Sequence, residues 1–217
     1  VRPQPQMNYL KPLLWCWDFN VEPMCTCVVQ KEILHGHILY RIHKEFIVHA
    51  ADIEQMCSEF YNFIPRGYRE IHIYGDATSG RRSVQTGKSD YTLILNIMRQ
   101  WQVRIVKKVP TINPPVPDRI NAMNSQLRDS MQNVHLEIDP SCVELIADLE
   151  QVLRDSRGGI KKTNDKKDAY FYRTHMSDAL GYLISYEEPV RGLRLGQNYN
   201  ESIIPPPVSY APTRDRI

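Results

Sequence analysis

Long apolar runs are missing from this chain. None approaches the roughly 20 residues that a membrane-crossing helix needs, so no membrane partner is expected. A secretory leader is missing too: Val1-Arg2-Pro3-Gln4-Pro5-Gln6 lacks an initiator Met and reads as a linker entering from an upstream domain. Cysteines are few and odd in number, five in all, at positions 16, 25, 27, 57 and 142. Cys25-Thr26-Cys27 puts two thiols on one face of a strand, but no second Cys or His pair stands nearby at zinc spacing. Buried, reduced thiols of a cytosolic protein are expected. His35, His37, His43 and His49 are spread over strand and turn positions and do not group as ligands. Net charge is only +2, so a nucleic-acid footprint has to come from local clustering.

The 217 residues suffice for a substantial core, and 42% hydrophobic with 24% charged residues is an ordinary globular balance. One α/β domain is the natural expectation. Residues 13–20, 24–30 and 36–48 are apolar, β-branched stretches with short polar breaks, which predicts three antiparallel strands with Gly36 at the second turn. Residues 51–63 change to helical period, with Ile53, Met56, Cys57 and Phe60 on one face. A strand over 71–75 follows and is placed parallel to the first by the helical crossover. Further along, helices are expected at 89–101, 117–130, 141–154 and 174–186, with strands at 102–106 and 134–138. Ala179, Tyr182, Leu183 and Tyr186 form the buried stripe of the last helix. Residues 155–173 read as a polar loop and 187–217 as a flexible, Pro-rich C-terminal tail. Strand, strand, strand, helix, strand is the order of a ribonuclease-H-like core: a mixed sheet flanked by helices.

Three acids stand out within this frame. Asp18 closes the apolar run Leu13-Leu14-Trp15-Cys16-Trp17, Asp76 follows Ile71-His72-Ile73-Tyr74-Gly75, and Asp178 lies in the last helix. A carboxylate in such a setting needs a partner. Three of them without matching lysines or arginines would repel one another, and Mg²⁺ or Mn²⁺ is the cation suited to oxygen ligands. If the first and fourth strands are neighbours, Asp18 and Asp76 meet at the sheet's edge. His175 precedes Asp178 by three residues and shares its helical face. Each acid also has a plainer reading: a strand-end or turn Asp at 18 and 76, and a helix start with Thr174 or Ser177 as cap at 178. Glu45, between Lys44 and Phe46, reads better as an exposed strand residue than as an outer-sphere acid.

Basic residues gather in 154–173, where Arg154, Arg157, Lys161, Lys162, Lys166, Lys167 and Arg173 face Asp155, Asp165 and Asp168, a local excess of four. Together with Arg81 and Arg82 they are candidates for holding DNA phosphates without reading sequence. Gly87-Lys88-Ser89 looks like the end of a phosphate-binding loop, but Arg82 stands where that motif requires Gly. The segment reads as a helix start capped by Ser89 or Asp90, with Lys88 a candidate phosphate contact.

Trp17-Asp18-Phe19-Asn20, Tyr74-Gly75-Asp76-Ala77, Gly87-Lys88-Ser89-Asp90-Tyr91 and His175-Met176-Ser177-Asp178-Ala179-Leu180-Gly181-Tyr182 resemble, in order, the nuclease half of the large terminase subunit of tailed phages. Asn113-Pro114-Pro115-Val116-Pro117-Asp118-Arg119 is similar to that family's connecting segment. The resemblance spans roughly residues 13–186, with 1–12 as the linker and 187–217 as the tail. It implies a two-metal endonuclease that cuts concatemeric viral double-stranded DNA in headful packaging, with little sequence specificity. Asp18, Asp76 and Asp178 would bind two Mg²⁺ or Mn²⁺ ions, with His175 touching the metal as in some members. The ions would activate water for in-line attack on the phosphodiester, leaving a 3′-hydroxyl. Implied partners are an upstream ATPase domain, the terminase small subunit and, through the tail, the portal protein. The implied location is the cytoplasm of an infected bacterium, outside the finished virion. Two alternatives stay open: a junction resolvase on the same fold, or a non-catalytic docking module for portal or capsid.

Overall fold

The structure is a computed structural model that describes residues 1–20, 22–50, 52–80, 89–156, 159–163, 165, 167–190 and 202–204. Seven strands and five helices carry the described chain. The strands are β1 (Leu13–Asp18), β2 (Met24–Leu34), β3 (His37–Val48), β4 (Glu70–Gly75), β5 (Arg104–Lys107), β6 (Leu136–Ile138) and β7 (Ser202–Ile204). The helices are α1 (Ile53–Phe63), α2 (Asp90–Met98), α3 (Val116–Leu127), α4 (Val143–Gln151) and α5 (His175–Glu187). All strands form one sheet in the order β6-β3-β2-β1-β4-β5-β7. β1, β2 and β3 are an antiparallel meander, and β4 lies parallel to β1 as the helical crossover predicts. Gly36 turns β2 into β3 with φ +83, a conformation glycine adopts without steric cost.

Alternation along the central strands decides what faces what. Leu13, Trp15 and Trp17 point into the core under α1 and α2, with Ile71 and Ile73 of β4 beside them. The Trp15 ring stacks on Phe60 of α1 at 3.7 Å between centroids. The even-numbered residues Leu14, Cys16 and Tyr74 face the other layer, where α3, α4 and α5 pack. By the same period Asp18 and Asp76 belong to the α5 side. The β1–β4 register pairs Trp17 with Gly75, so the two acids follow on adjacent strands.

Helix α5 runs beneath this face and is more deeply enclosed than a single apolar stripe suggests. Every residue from Asp178 to Ile184 is buried, because the sheet covers one side and α3 and α4 the other. Ser89 caps α2 by accepting from the Thr92 amide, as expected of a helix start; Gly87 and Lys88 lie outside the described residues. The N-terminal residues lie against the domain: the Arg2 amide donates to the Ile138 carbonyl, and Asn8 exchanges hydrogen bonds with Gln30. Within the tail, Ser202–Ile204 differs from the structureless expectation, adding antiparallel to β5 as an edge strand. All five cysteines are buried and unbridged.

Candidate active site

Beyond the C-terminal ends of the adjacent strands β1 and β4, the start of α5 brings His175 and Asp178 up to Asp18, with Asp76 directly following β4. Asp18, 7% exposed, ends β1. Its Oδ2 accepts from the Asn20 amide at 2.5 Å and lies 3.0 Å from His175 Nδ1. Asn20 Nδ2 also lies 2.9 Å from the same ring nitrogen. With a proton, that nitrogen donates to Asp18 Oδ2; without one, its single lone pair accepts from Asn20. Burial raises the Asp18 carboxyl pKa, and the negative charge of Asp178 raises it further, against the lowering effects of His175 and Lys162.

Asp76 sits at the end of β4, held by short local bonds. Its carboxylate accepts from the Thr78 amide at 2.7 Å, from the Thr78 hydroxyl at 2.5 Å and from the Asn113 amide. Tyr91 of α2 donates to the Asp76 carbonyl at 2.8 Å. Gly75 makes room for this: a Cβ there would stand 2.6 Å from the Tyr91 hydroxyl and 3.0 Å from the Trp17 carbonyl.

Asp178 corrects one premise of the sequence reading, that the three acids lack matching cations. Its Oδ1 accepts from Arg119 Nη2 at 2.6 Å and its Oδ2 from Lys162 Nζ at 3.1 Å. With cations on both Asp178 oxygens, the presence of the three acids does not by itself speak against a non-catalytic docking module. Arg119 reaches Asp178 from α3 by lying across α5 at Gly181, where a Cβ would come 3.1 Å from its Cγ and Cδ. Its guanidinium lies 4.5 Å from the Tyr182 ring centroid. The Tyr182 hydroxyl is pushed up to about 12 by burial, partly offset by Arg119 and reinforced by Asp76, Asp18 and Asp178. One phenol therefore lies in the field of all three acids.

Among the described residues, no three His, Cys, Asp or Glu side chains stand close enough together to hold a metal ion as they are. The donor set nonetheless suits a hard cation. Asp18 and Asp178 repel each other, His175 stands beside Asp18, and the Lys162 ammonium already serves as a cation against Asp178.

Of the predicted phosphate-holding residues, Lys161, Lys162 and Lys167 are exposed, and Lys162 reaches Asp178 of α5. Lys161 lies over the Tyr170 ring at 5.8 Å. Arg81, Arg82, Lys88 and Lys166 lie outside the described residues. Glu45 is not merely an exposed strand residue: its two oxygens accept from the amides of Glu144 and Leu145 at 3.0 and 2.8 Å, capping α4. Arg119, Asn20, Asn113 and Asp148 escaped the sequence reading as members of the site. Arg119 and Asn113 fall in a segment already noted, but sequence spacing carries no sign of which cation meets Asp178 across 59 residues.

No protein-family model matches the chain, and no curated protein matches it in sequence. Solved structures match its shape. The nuclease domain of the large terminase of phage P22 superposes with a TM-score of 0.54 at 15% identity, covering 84% of each chain. The nuclease domain of the large terminase of bacteriophage SPP1, solved with bound Mn, gives 0.45 at 14% identity over 81% of this chain and 86% of that one. RuvC of Thermus thermophilus gives 0.36 at 10% identity, over 81% and 95%. The first of these shows the fold: a ribonuclease-H-like mixed sheet with flanking helices, of the kind found in a phage large-terminase nuclease domain.

Proposed function

We propose that this chain is a metal-dependent endonuclease domain of the large-terminase type, cutting double-stranded viral DNA during genome packaging. The observation that carries the reading is the meeting of Asp18 from β1 with His175 and Asp178 from α5 at the C-terminal end of the central strands, with Asp76 directly following β4. Asp18, Asp76 and Asp178 are the residues that would hold Mg²⁺ or Mn²⁺, with His175 beside them. When bound, such ions activate water and stabilise the charge that develops on a phosphodiester.

The remaining chemistry belongs to the chain itself. Thr78 and Asn113 fix the Asp76 carboxylate, and Arg119 fixes Asp178 by one oxygen, so both acids are oriented before substrate arrives. Asn20 sets the His175 ring against Asp18. Lys161, Lys162 and Lys167 would grip phosphates without contacting base edges, which suits cutting with little sequence preference. An upstream ATPase domain, a small terminase subunit, a portal contact through the tail and a location in the infected cell's cytoplasm belong to the same proposal. No described helix is long and apolar enough to cross a membrane.

Nicking of supercoiled plasmid with Mn²⁺, Mg²⁺ or EDTA tests it, comparing wild type with Asp18→Ala and His175→Ala. Metal-dependent cutting lost in Asp18→Ala and lowered in a folded His175→Ala is expected. Cutting that survives Asp18→Ala would remove this site from the account.

A further inference from the structure

Helices α3, α4 and α5 of the active-site face all begin without a side-chain cap of their own, and α4 and α5 borrow one. At α4 the capping position is Cys142 and at α5 it is Thr174, and neither side chain accepts a hydrogen bond from its helix. Four amides at a helix start need acceptors, and in both α4 and α5 a carboxylate from another element takes two of them. Glu45 of β3 caps α4, as described above. Asp148 of α4, 1% exposed, then accepts from the Ser177 amide of α5 at 3.0 Å and also takes a bond from the Thr174 amide.

Thr174 shows why α5 needs outside help. It has φ +87 and ψ −25, a left-handed conformation uncommon for any non-glycine residue and an outlier for a β-branched one. The side chain is fully buried, and its hydroxyl has no hydrogen-bond partner among the described residues. The turn into α5 is therefore held in an unfavourable shape by what surrounds it. Arg173 anchors the carboxylate responsible, reaching Glu144 at 2.7 Å and Asp148 at 3.5 Å.

From these contacts we infer that Asp148 is a positioning residue for the candidate active site: by capping the strained start of α5 it fixes where His175 and Asp178 stand against Asp18. The inference rests on the nuclease reading above, because positioning matters only if those side chains hold the ion and the DNA. The cap needs an acceptor at this place and does not need a charge. Asparagine can supply the acceptor; alanine and leucine cannot.

Asp148→Ala is compared with Asp148→Asn in the full chain, with near-isosteric Asp148→Leu in reserve should the smaller side chain prevent folding. The readouts are Mn²⁺ affinity by calorimetry, hydrogen exchange at the 174–178 amides, and kcat and KM for plasmid nicking. Loss of such an orienting partner weakens metal binding or activity by about 10- to 100-fold. In Asp148→Ala we expect weaker Mn²⁺ binding and lower kcat by that factor, faster exchange at 174–178 and unchanged KM; Asp148→Asn recovers most of both. A folded Asp148→Ala or Asp148→Leu with lower thermal stability but wild-type Mn²⁺ affinity and kcat would make the cap structural only and overturn the inference. Failure of the wild type itself to bind Mn²⁺ or cut would instead strike the nuclease reading.

Discussion

Glu187 closes the end of α5 opposite the site, and its neutralisation is the perturbation whose size the structure sets most clearly. Tyr74 of β4 donates to its Oε1 at 2.6 Å, Lys108 reaches the same oxygen at 3.2 Å, and Lys31 of β2 reaches Oε2 at 3.0 Å. Burial pushes the carboxyl up, but the Tyr74 bond and the two ammonium groups outweigh it and hold it at about 2, against an ordinary 4.5. At ~1.4 kcal/mol per unit, that difference stabilises the fold by about 3 kcal/mol at neutral pH. A carboxylate in the last turn opposes the helix dipole, so Glu187→Gln recovers about 0.5 kcal/mol and the net loss is about 2–3 kcal/mol. The folded-state value is depressed, so the contribution is complete above about 4.5 and disappears as pH falls through about 2. Urea unfolding followed by tryptophan fluorescence, at neutral pH and near pH 3, measures the gap between wild type and Glu187→Gln. About half of it should be gone near pH 3. A gap under about 1 kcal/mol at neutral pH, or one that does not narrow in acid, would refute the reasoning.

Three further outcomes follow from other contacts. Arg119→Ala leaves a buried carboxylate without its closest cation and should lower stability by about 3–5 kcal/mol in urea unfolding, an effect that a merely superficial pair would not produce. Gly75→Ala drives a Cβ against the Tyr91 hydroxyl and the Trp17 carbonyl and should lower stability by about 1–3 kcal/mol, seen as a fall in Tm; an unchanged Tm would mean that Asp76's surroundings yield easily. Changing Lys161, Lys162 and Lys167 together to Glu should weaken duplex binding and make the slope of log K against log salt shallower by about 2–3. Unchanged binding at low salt would exclude this loop from DNA contact.

Much of this arrangement could be read in the chain, for identifiable reasons. Trp15, Trp17, Ile71 and Ile73 alternate with residues of the opposite face, so strand period alone puts Asp18 and Asp76 on one side. The helical crossover makes β4 parallel to β1, which brings those acids level. His175 and Asp178 share a helical face by their spacing. What escaped the sequence depends on contacts between distant elements. Nothing in its own neighbourhood marks Arg119 as the partner of Asp178; only the packing of α3 over Gly181 does. Glu45 looked like an exposed strand residue because alternation cannot show that a helix start will arrive above it. The Ser202–Ile204 strand pairs through backbone groups at an edge, which leaves little trace in the side-chain pattern of so short a segment.

The claim at the centre is that Asp18, Asp76 and Asp178 together hold divalent ions. Diffraction at a wavelength where manganese scatters anomalously, from crystals of this chain soaked in Mn²⁺, tests it most directly. The account predicts anomalous density within coordination distance of all three carboxylates, with His175 alongside. Fully ordered acids with no such density at saturating Mn²⁺, or density only at another place on the molecule, would contradict it.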